Sequence, residues 1–180
     1  MPIELEYKFI LAEDSNYEAR LVKFLKENKI PYNVHEIEQC YLKGGGRVRS
    51  SRINNVDNVV YEFCYKEPIK KGEGNIEFNI KISEKDFELS KKASDVILIK
   101  NRYKIMLDNF TWEIDIFLNK GESYFNLVEV EFTKEGVDPS TNNLPSIIRN
   151  NIILKTLDDD RFTSKKLANV KYAKKLYKNI

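Results

Sequence analysis

The stretch Ile3-Glu4-Leu5-Glu6-Tyr7-Lys8-Phe9-Ile10 decides the predicted fold of this 180-residue chain. Side chains alternate between the two faces of a β-strand, so Glu4, Glu6 and Lys8 share one face and the apolar residues share the other. A strand of an ordinary sandwich, with its polar face in water, shows the same alternation. The stretch alone therefore predicts a strand with one charged face and one apolar face.

The same alternation returns in later stretches with the same kinds of charge. Trp112-Glu113-Ile114-Asp115-Ile116 and Val128-Glu129-Val130-Glu131-Phe132 carry acids, and Arg47-Val48-Arg49 is their cationic counterpart. For one strand alone a solvated sheet face is the commoner explanation, in which surface ion pairs contribute little stability. Several strands with segregated acids and bases indicate instead a closed sheet with its charged face inside. We therefore predict a polar-lined β-barrel that holds a polyanion and a metal ion.

Length and composition limit this prediction. A chain of 180 residues suits a single domain, 1–180, and 30 basic against 28 acidic residues leave a net charge of only +2. Any anion site must therefore be local, which argues against nucleic acid as a partner. Neither a signal peptide nor a stretch of roughly 20 apolar residues is evident, so we expect a cytoplasmic protein with no membrane partner. Cys40 and Cys64 are expected to be free, buried thiols.

The order of elements follows from the two periodicities along the chain. Alternation predicts strands, after the first, at 34–42, 47–53, 59–66, 75–82, 96–106, 112–117 and 124–132. Helical spacing predicts helices at about 15–28, 84–93, 146–151 and 164–177, which can cover the outward apolar faces. The run Asp158-Asp159-Asp160 is either a helix N-cap cluster or part of a site. The basic face of the last helix is expected to be solvated.

The predicted charged face combines two kinds of ligand. Its acids are Glu4, Glu6, Glu77, Glu113, Asp115, Glu129 and Glu131, and its bases are Lys8, Arg47, Arg49, Lys66, Lys100, Arg102 and Lys104. Carboxylate oxygens suit Mg²⁺ or Mn²⁺, while lysines and arginines suit phosphoryl oxygens. Together they are what a metal-assisted phosphoryl transfer site requires. His35, the only histidine, is expected to be an ordinary surface residue, which disfavours a histidine-ligated zinc site.

These motifs resemble, in order along nearly the whole chain, those of the CYTH domain, the family of triphosphate tunnel metalloenzymes. The first strand has the family's Glu-x-Glu-x-Lys signature. The later matches are Gln39-Cys40-Tyr41-Leu42, Arg47-Val48-Arg49, Cys64-Tyr65-Lys66, Lys100-Asn101-Arg102-Tyr103, the two acidic strands, Asp159-Asp160-Arg161-Phe162 and Lys165-Lys166-Leu167-Ala168. One such motif would be weak evidence, whereas the ordered set is strong.

The resemblance implies an α+β fold in which an eight-stranded antiparallel β-barrel, or tunnel, has a charged interior and covering helices. It also implies binding of a triphosphate with Mg²⁺ or Mn²⁺ as cofactor. By match, the metal would be held by Glu4, Glu6, Glu129 and Glu131 with support from Asp115, and the phosphates by Lys8, Arg47, Arg49, Lys66 and Arg102. Lys100 and Tyr41 occupy the positions of a pair that orients the attacking water in some hydrolytic members of the family.

The expected function is hydrolysis of inorganic triphosphate or a small organic triphosphate, such as thiamine triphosphate or a nucleotide, by a monomer or homodimer. A class IV adenylyl cyclase, which makes cyclic AMP and pyrophosphate from ATP, and an RNA 5′-triphosphatase are alternatives within the family. A module that binds polyphosphate or a nucleotide without turnover is the alternative outside catalysis. The acids kept in all three acidic strands argue against such a module.

Overall fold

A computed structural model describes residues 4–54, 56–68, 75–133, 138–139, 144–157 and 159–180. The strands in these residues are β1 (Glu4–Leu11), β2 (Tyr32–Tyr41), β3 (Arg47–Ile53), β4 (Val59–Pro68), β5 (Asn75–Lys81), β6 (Val96–Leu107), β7 (Phe110–Asn119), β8 (Glu122–Thr133) and β9 (Ile152–Leu157). The helices are α1 (Tyr17–Glu27), α2 (Glu84–Lys92), α3 (Ser146–Arg149), α4 (Ser164–Leu167) and α5 (Val170–Tyr177), and a 3₁₀ turn spans Asp160–Phe162.

All nine strands belong to one antiparallel sheet, in the order β5-β4-β3-β2-β6-β7-β8-β1-β9. The α+β class and the antiparallel sheet are confirmed, but the predicted number of eight strands is wrong within the described residues. β5 and β9 are the two edges, and in this part of the chain no hydrogen bonds join them. A barrel closed by hydrogen bonds is therefore not confirmed.

The ninth strand, β9, lies where the sequence predicted only helices. Its six residues alternate between half-buried and exposed positions, and it pairs with β1 through Lys8 and Thr156, among other residue pairs. A short apolar run does not by itself distinguish a strand from a helix, so the strand β1 far away in sequence decides its conformation. The predicted helix at 164–177 is also interrupted, because the Asn169 side chain accepts a hydrogen bond from the Tyr172 amide and begins a new helix, α5.

The strand register places the charged residues on one side of the sheet, called here the inner face. Residues directly opposite each other on antiparallel strands point to the same side. Such pairs include Lys8 with Glu129, Lys104 with Glu113, Arg102 with Asp115, Gln39 with Arg49, and Tyr41 with Arg47. The predicted segregation of charged and apolar faces is thus confirmed by the pairing of the strands.

The apolar side of the sheet packs against helices. Tyr17, Leu21 and Leu25 recur every four residues along α1 and are fully buried. They pack in one core with outward strand residues such as Phe9 and Trp112, to which α3 adds Ile148. Burial of each large side chain contributes roughly 1.5–3 kcal/mol to folding. This core fixes β1, β6, β7 and β8, the strands that position most of the inner charges.

A second core closes one end of the inner face. Leu98, Phe117 and Leu127 lie on the same strands as the charged residues and follow the same alternation. Phe162 and Leu167, from the C-terminal helical segment, pack against them and are fully buried. The inner face therefore has an apolar end covered by the C-terminal segment and a charged part beyond it. No helix in the described ranges is long and apolar enough to cross a membrane.

Candidate functional site

Lys8 lies between two carboxylates on the central strands. Its side chain is almost buried, with 7% of the residue exposed, and its ammonium donates to Glu129 Oε1 at 2.7 Å and also to Glu6. Burial opposes the charged form, but the charges of Glu129 and Glu6 raise the pKa of Lys8 above its usual value. Burial and the charge of Glu129 raise the pKa of Glu6 to about 7. At Glu6, burial and the charge of Glu129 thus outweigh the attraction of Lys8, whereas Glu129 also pairs with Arg102.

Arg102 connects three carboxylates from two neighbouring strands. Its Nε donates to Asp115 Oδ1 at 2.6 Å, and its Nη2 donates to Asp115 Oδ2 at 2.6 Å and to Glu129 Oε2 at 2.8 Å. Its Nη1 pairs with Glu113, which also lies 2.7 Å from the ammonium of Lys104. Burial would raise the pKa of Asp115, but Arg102 and then Lys100 lower it. Asp115 is therefore a permanent anion that holds the guanidinium in place.

Lys100 is the most deeply buried cation of the site. The residue is 2% exposed, its ammonium pairs with the fully buried Asp115, and it lies 5.4 Å from the centre of the Phe117 ring. Ser164 Oγ, at the start of α4, is 3.5 Å away. Burial and the positive charge of Arg102 lower the pKa of Lys100 to about 8 in spite of Asp115. This lysine stands at the boundary between the charged part and the apolar end.

The other half of the inner face, formed by β2, β3 and β4, carries cations with little compensation. Arg49 Nε donates to Gln39 Oε1 at 3.3 Å, and Gln39 in turn donates to the Tyr41 hydroxyl. Arg47 lies 3.9 Å from Glu77, beyond hydrogen-bonding distance, and its Nε is buried without a hydrogen-bond partner. Burial and the nearby Arg47 lower the pKa of Arg49. Glu62, opposite Arg49 on β4, partly offsets this charge. The Arg47–Arg49 pair therefore presents positive charge that no described carboxylate neutralises within hydrogen-bonding distance.

Tyr41 and Lys66 belong to the same half. Lys66 is exposed and lies opposite Glu77 in the register of β4 and β5. Tyr41 is half-buried, and the ammonium of Lys165 lies 6.0 Å from the centre of its ring. Burial raises the pKa of Tyr41 to about 12, so its hydroxyl is neutral near pH 7 and can both donate and accept.

The structure brings most of the predicted site residues to one face, although it leaves their roles as predictions. Those on the inner face with described contacts or positions are Glu6, Lys8, Tyr41, Arg47, Arg49, Lys66, Lys100, Arg102, Asp115, Glu129 and Glu131. Glu131 is exposed and lies opposite Glu6. Glu4 begins β1, but its side chain lies outside the described part of the chain.

Several polar inner-face residues were missed as candidates, and Gln39 and His35 are two of them. Gln39 is 1% exposed and links Arg49 to Tyr41. His35, expected at an ordinary surface position, is half-buried opposite Arg102, with Nδ1 3.4 Å from Ser51 Oγ. Burial and the positive charges of Lys104 and Arg102 lower its pKa. Both share alternation with Tyr41 along β2, and that signal could have identified them.

The arrangement of the inner-face carboxylates indicates whether a divalent metal could bind to this site. Within the described residues no group of three or more acidic, histidine or cysteine side chains is arranged to hold a metal ion. Glu6 and Glu129 nevertheless offer hard oxygen ligands whose mutual repulsion a cation would relieve. Mg²⁺ is usually bound by one or two carboxylates together with substrate phosphates, and it keeps several waters. The donor set therefore fits a metal that is shared with a phosphate ligand.

Comparisons with known proteins identify solved structures that resemble this chain, but no related sequence. No family model and no curated protein matches the chain. The PH1012 protein from Pyrococcus horikoshii OT3 is 20% identical with a TM-score of 0.47, covering 74% of this chain and 80% of that chain. HpAC1 from Hippeastrum, described as a putative adenylyl cyclase with a dominant triphosphatase activity, is 12% identical with a TM-score of 0.42, covering 73% and 80%. The S. pombe Pct1 RNA triphosphatase is 11% identical with a TM-score of 0.41, covering 73% and 71%. At these identities and TM-scores, the neighbours carry no weight for the function of this chain.

Proposed function

We propose that this protein hydrolyses a triphosphate, either inorganic or carried on a small organic group, with a divalent metal ion as cofactor. The proposal rests on the distribution of charge on the inner face, where the central carboxylates are paired with cations but the Arg47–Arg49 pair has few acceptors. Four carboxylates contact four cations of the chain, namely Glu6, Glu113, Asp115 and Glu129 with Lys8, Lys100, Arg102 and Lys104. Among the described residues, the Arg47–Arg49 pair has the amide acceptor of Gln39, Glu77 at 3.9 Å and Glu62 opposite Arg49, without a carboxylate at hydrogen-bonding distance.

A bound polyanion would neutralise the positive charge of the Arg47–Arg49 pair. A guanidinium presents a planar fork that binds phosphate oxygens through two parallel hydrogen bonds. The buried Nε of Arg47 has a proton to donate and no acceptor in the described structure. Bound phosphate would satisfy this donor and reduce the repulsion that lowers the pKa of Arg49. Lys66 lies on the same face, and Lys8 and Arg102 could contact phosphates nearer the acids.

Glu6 and Glu129 are the proposed metal ligands, with Glu131 beside Glu6. Bound Mg²⁺ or Mn²⁺ would neutralise charge on the phosphate oxygens and polarise the phosphorus. Asp115 contributes in another way, because its two oxygens already accept hydrogen bonds from Arg102 and Lys100. Its proposed role is to orient these two cations.

Lys100 and Tyr41 are proposed to position the attacking water. Among the described residues, Asp115 and Ser164 accept at most two of the three hydrogens of the Lys100 ammonium, so one can be donated to water. The neutral Tyr41 hydroxyl accepts from Gln39, and its own hydrogen can be donated to water or phosphate. Hydrolysis of a phosphoric anhydride depends mainly on such positioning and on charge stabilisation.

A binding module without turnover is the second candidate. Glu113, Asp115 and Glu129 are each paired with cations of the chain itself, so the acidic half is already compensated without a metal. Such a protein would use the Arg47–Arg49 pair to bind a polyphosphate or nucleotide and would leave it unchanged.

A product assay separates these functions. Purified protein with Mg²⁺ or Mn²⁺ is offered inorganic triphosphate, thiamine triphosphate and ATP, and phosphate, pyrophosphate and cyclic AMP are measured. Release of phosphate supports the triphosphatase. Cyclic AMP with pyrophosphate would replace it by a cyclase, and tight calorimetric binding without any product would replace it by the module. Absence of both product and binding would refute a triphosphate site altogether.

A further inference from the structure

Thr156 has a buried hydroxyl that the fold does not use. Its Oγ1 is buried and has no hydrogen-bond partner in the described structure. A hydroxyl that loses water without gaining a partner destabilises the folded state, and valine would fill the same volume without this penalty. A structural role alone therefore gives no reason for threonine at this position.

The register of β9 places this hydroxyl on the inner face. Thr156 lies directly opposite Lys8 on β1, so the two side chains point to the same side of the sheet. The neighbouring Lys155 points to the other side, where its ammonium lies 4.0 Å from the centre of the Tyr7 ring. Leu154, the next inward residue of β9, belongs to the apolar end. Thr156 is thus the inward polar residue of the described part of this edge strand, and its side chain shares a face with that of Lys8 on the neighbouring strand.

The charges around Thr156 indicate what its hydroxyl would contact. Lys8 is the cation opposite it, Glu129 lies beyond β1 on strand β8, and Glu6 lies two residues before Lys8 on β1 itself. The acids already accept from Lys8 without reaching Thr156, so the hydroxyl is free of them in the described structure. An anionic oxygen held by Lys8 at this edge would accept the Thr156 hydrogen as well.

We propose that Thr156 is a further substrate-binding residue, which donates a hydrogen bond from Oγ1 to a phosphate oxygen of the ligand beside Lys8. This inference rests on the proposed function, since the ligand is the same triphosphate. It extends the binding site across β1 to the edge strand β9.

Thr156→Val and Thr156→Ser test the proposal as a matched pair, because valine keeps the shape and serine keeps the hydroxyl. We expect Thr156→Val to raise the calorimetric Kd for inorganic triphosphate with Mg²⁺ by about tenfold, the effect of one hydrogen bond to a charged group. Thr156→Ser should stay within about threefold of the wild type, and the urea midpoint of the valine variant should be equal to or above that of the wild type.

The two proposals fail in different ways. Wild-type protein that does not bind triphosphate would refute the proposed function and the role of Thr156 together. Wild-type binding with an unchanged Kd in Thr156→Val would overturn the role of Thr156 alone. A lower urea midpoint together with an unchanged Kd would show instead that the hydroxyl stabilises the fold.

Discussion

The variant Arg49→Met should leave the stability of the fold nearly unchanged while it weakens the binding of triphosphate. Among the described residues the Arg49 guanidinium is partly buried, lies near Arg47 and opposite Glu62, and donates one hydrogen bond, of 3.3 Å, to Gln39. Its removal relieves the burial of charge and the repulsion from Arg47, but it also removes the hydrogen bond, which contributes about 1 kcal/mol. Because these effects oppose each other, we expect the free energy of unfolding to change by no more than about 1 kcal/mol.

The affinity for triphosphate should fall much more. Hydrogen bonds from the Arg49 guanidinium to phosphate oxygens would contribute about 1.5–3 kcal/mol to binding. Methionine makes no such hydrogen bonds, so this contribution is lost. The Kd of Arg49→Met for inorganic triphosphate with Mg²⁺ should therefore rise by about 10- to 150-fold. Isothermal titration calorimetry measures the Kd, and urea denaturation followed by circular dichroism measures the free energy of unfolding.

Arg52→Met is the matched control. Arg52 lies on the same strand, β3, but points to the opposite side of the sheet, where it is 3.7 Å from Glu36 and half exposed. An ion pair of this kind contributes at most about 1 kcal/mol to stability. Its replacement should leave the Kd unchanged. The reasoning would be refuted by a wild-type Kd in Arg49→Met, or by an equal loss of affinity in both variants, which would reflect overall charge instead of a site.

Three further variants probe other parts of the inner face. Lys8→Met removes the ammonium that contacts both Glu6 and Glu129, while Arg102 still pairs with Glu129, and urea denaturation at pH 7 should show a loss of about 3 kcal/mol; a loss below 1 kcal/mol would contradict the pairing. His35→Gln should flatten the pH dependence of stability below pH 7. The pKa of His35 is lowered in the folded state, so wild-type stability decreases as the pH falls through about 6.5, the pKa in the unfolded chain. Urea denaturation between pH 5 and pH 7.5 measures this difference, and parallel curves would be evidence against it. Lys100→Met should lower kcat more than tenfold while the Kd for triphosphate changes less than threefold, and unchanged turnover would remove Lys100 from catalysis.

The inner face could be predicted from sequence because alternation is a local property. Glu6 and Lys8 are two residues apart, and any extended conformation of β1 places them on the same side. The partners of these residues could not be predicted in the same way. Lys8 meets Glu129 because β1 pairs with β8 in one particular register, and a shift of one residue would turn every side chain to the other face. Such a register follows from the packing of strands more than 100 residues apart.

His35 and Gln39 were missed for a related reason. Along β2 the inward residues are His35, Ile37, Gln39 and Tyr41, a mixture of polar and apolar types that gives no regular charged alternation. The one local signal was the alternation shared with Tyr41, and the pairing with Arg49 and Arg102 on the neighbouring strands shows that this side of β2 is the inner one. Strand β9 was missed because six residues carry too little periodicity to outweigh the helical signals around them.

The balance of charge on the inner face also predicts that metal and triphosphate bind to the site together. The acids and cations of the central strands compensate each other, and the surplus positive charge is that of the Arg47–Arg49 pair with Lys66 nearby. A triphosphate that arrived alone would bring its charge close to Glu6 and Glu129, which would repel it. A triphosphate that arrived with Mg²⁺ would carry less negative charge and would turn the same carboxylates into ligands. We therefore expect triphosphate to bind much more tightly with Mg²⁺ than without it, and Mg²⁺ alone to bind weakly, because the metal needs the phosphate oxygens to complete its coordination.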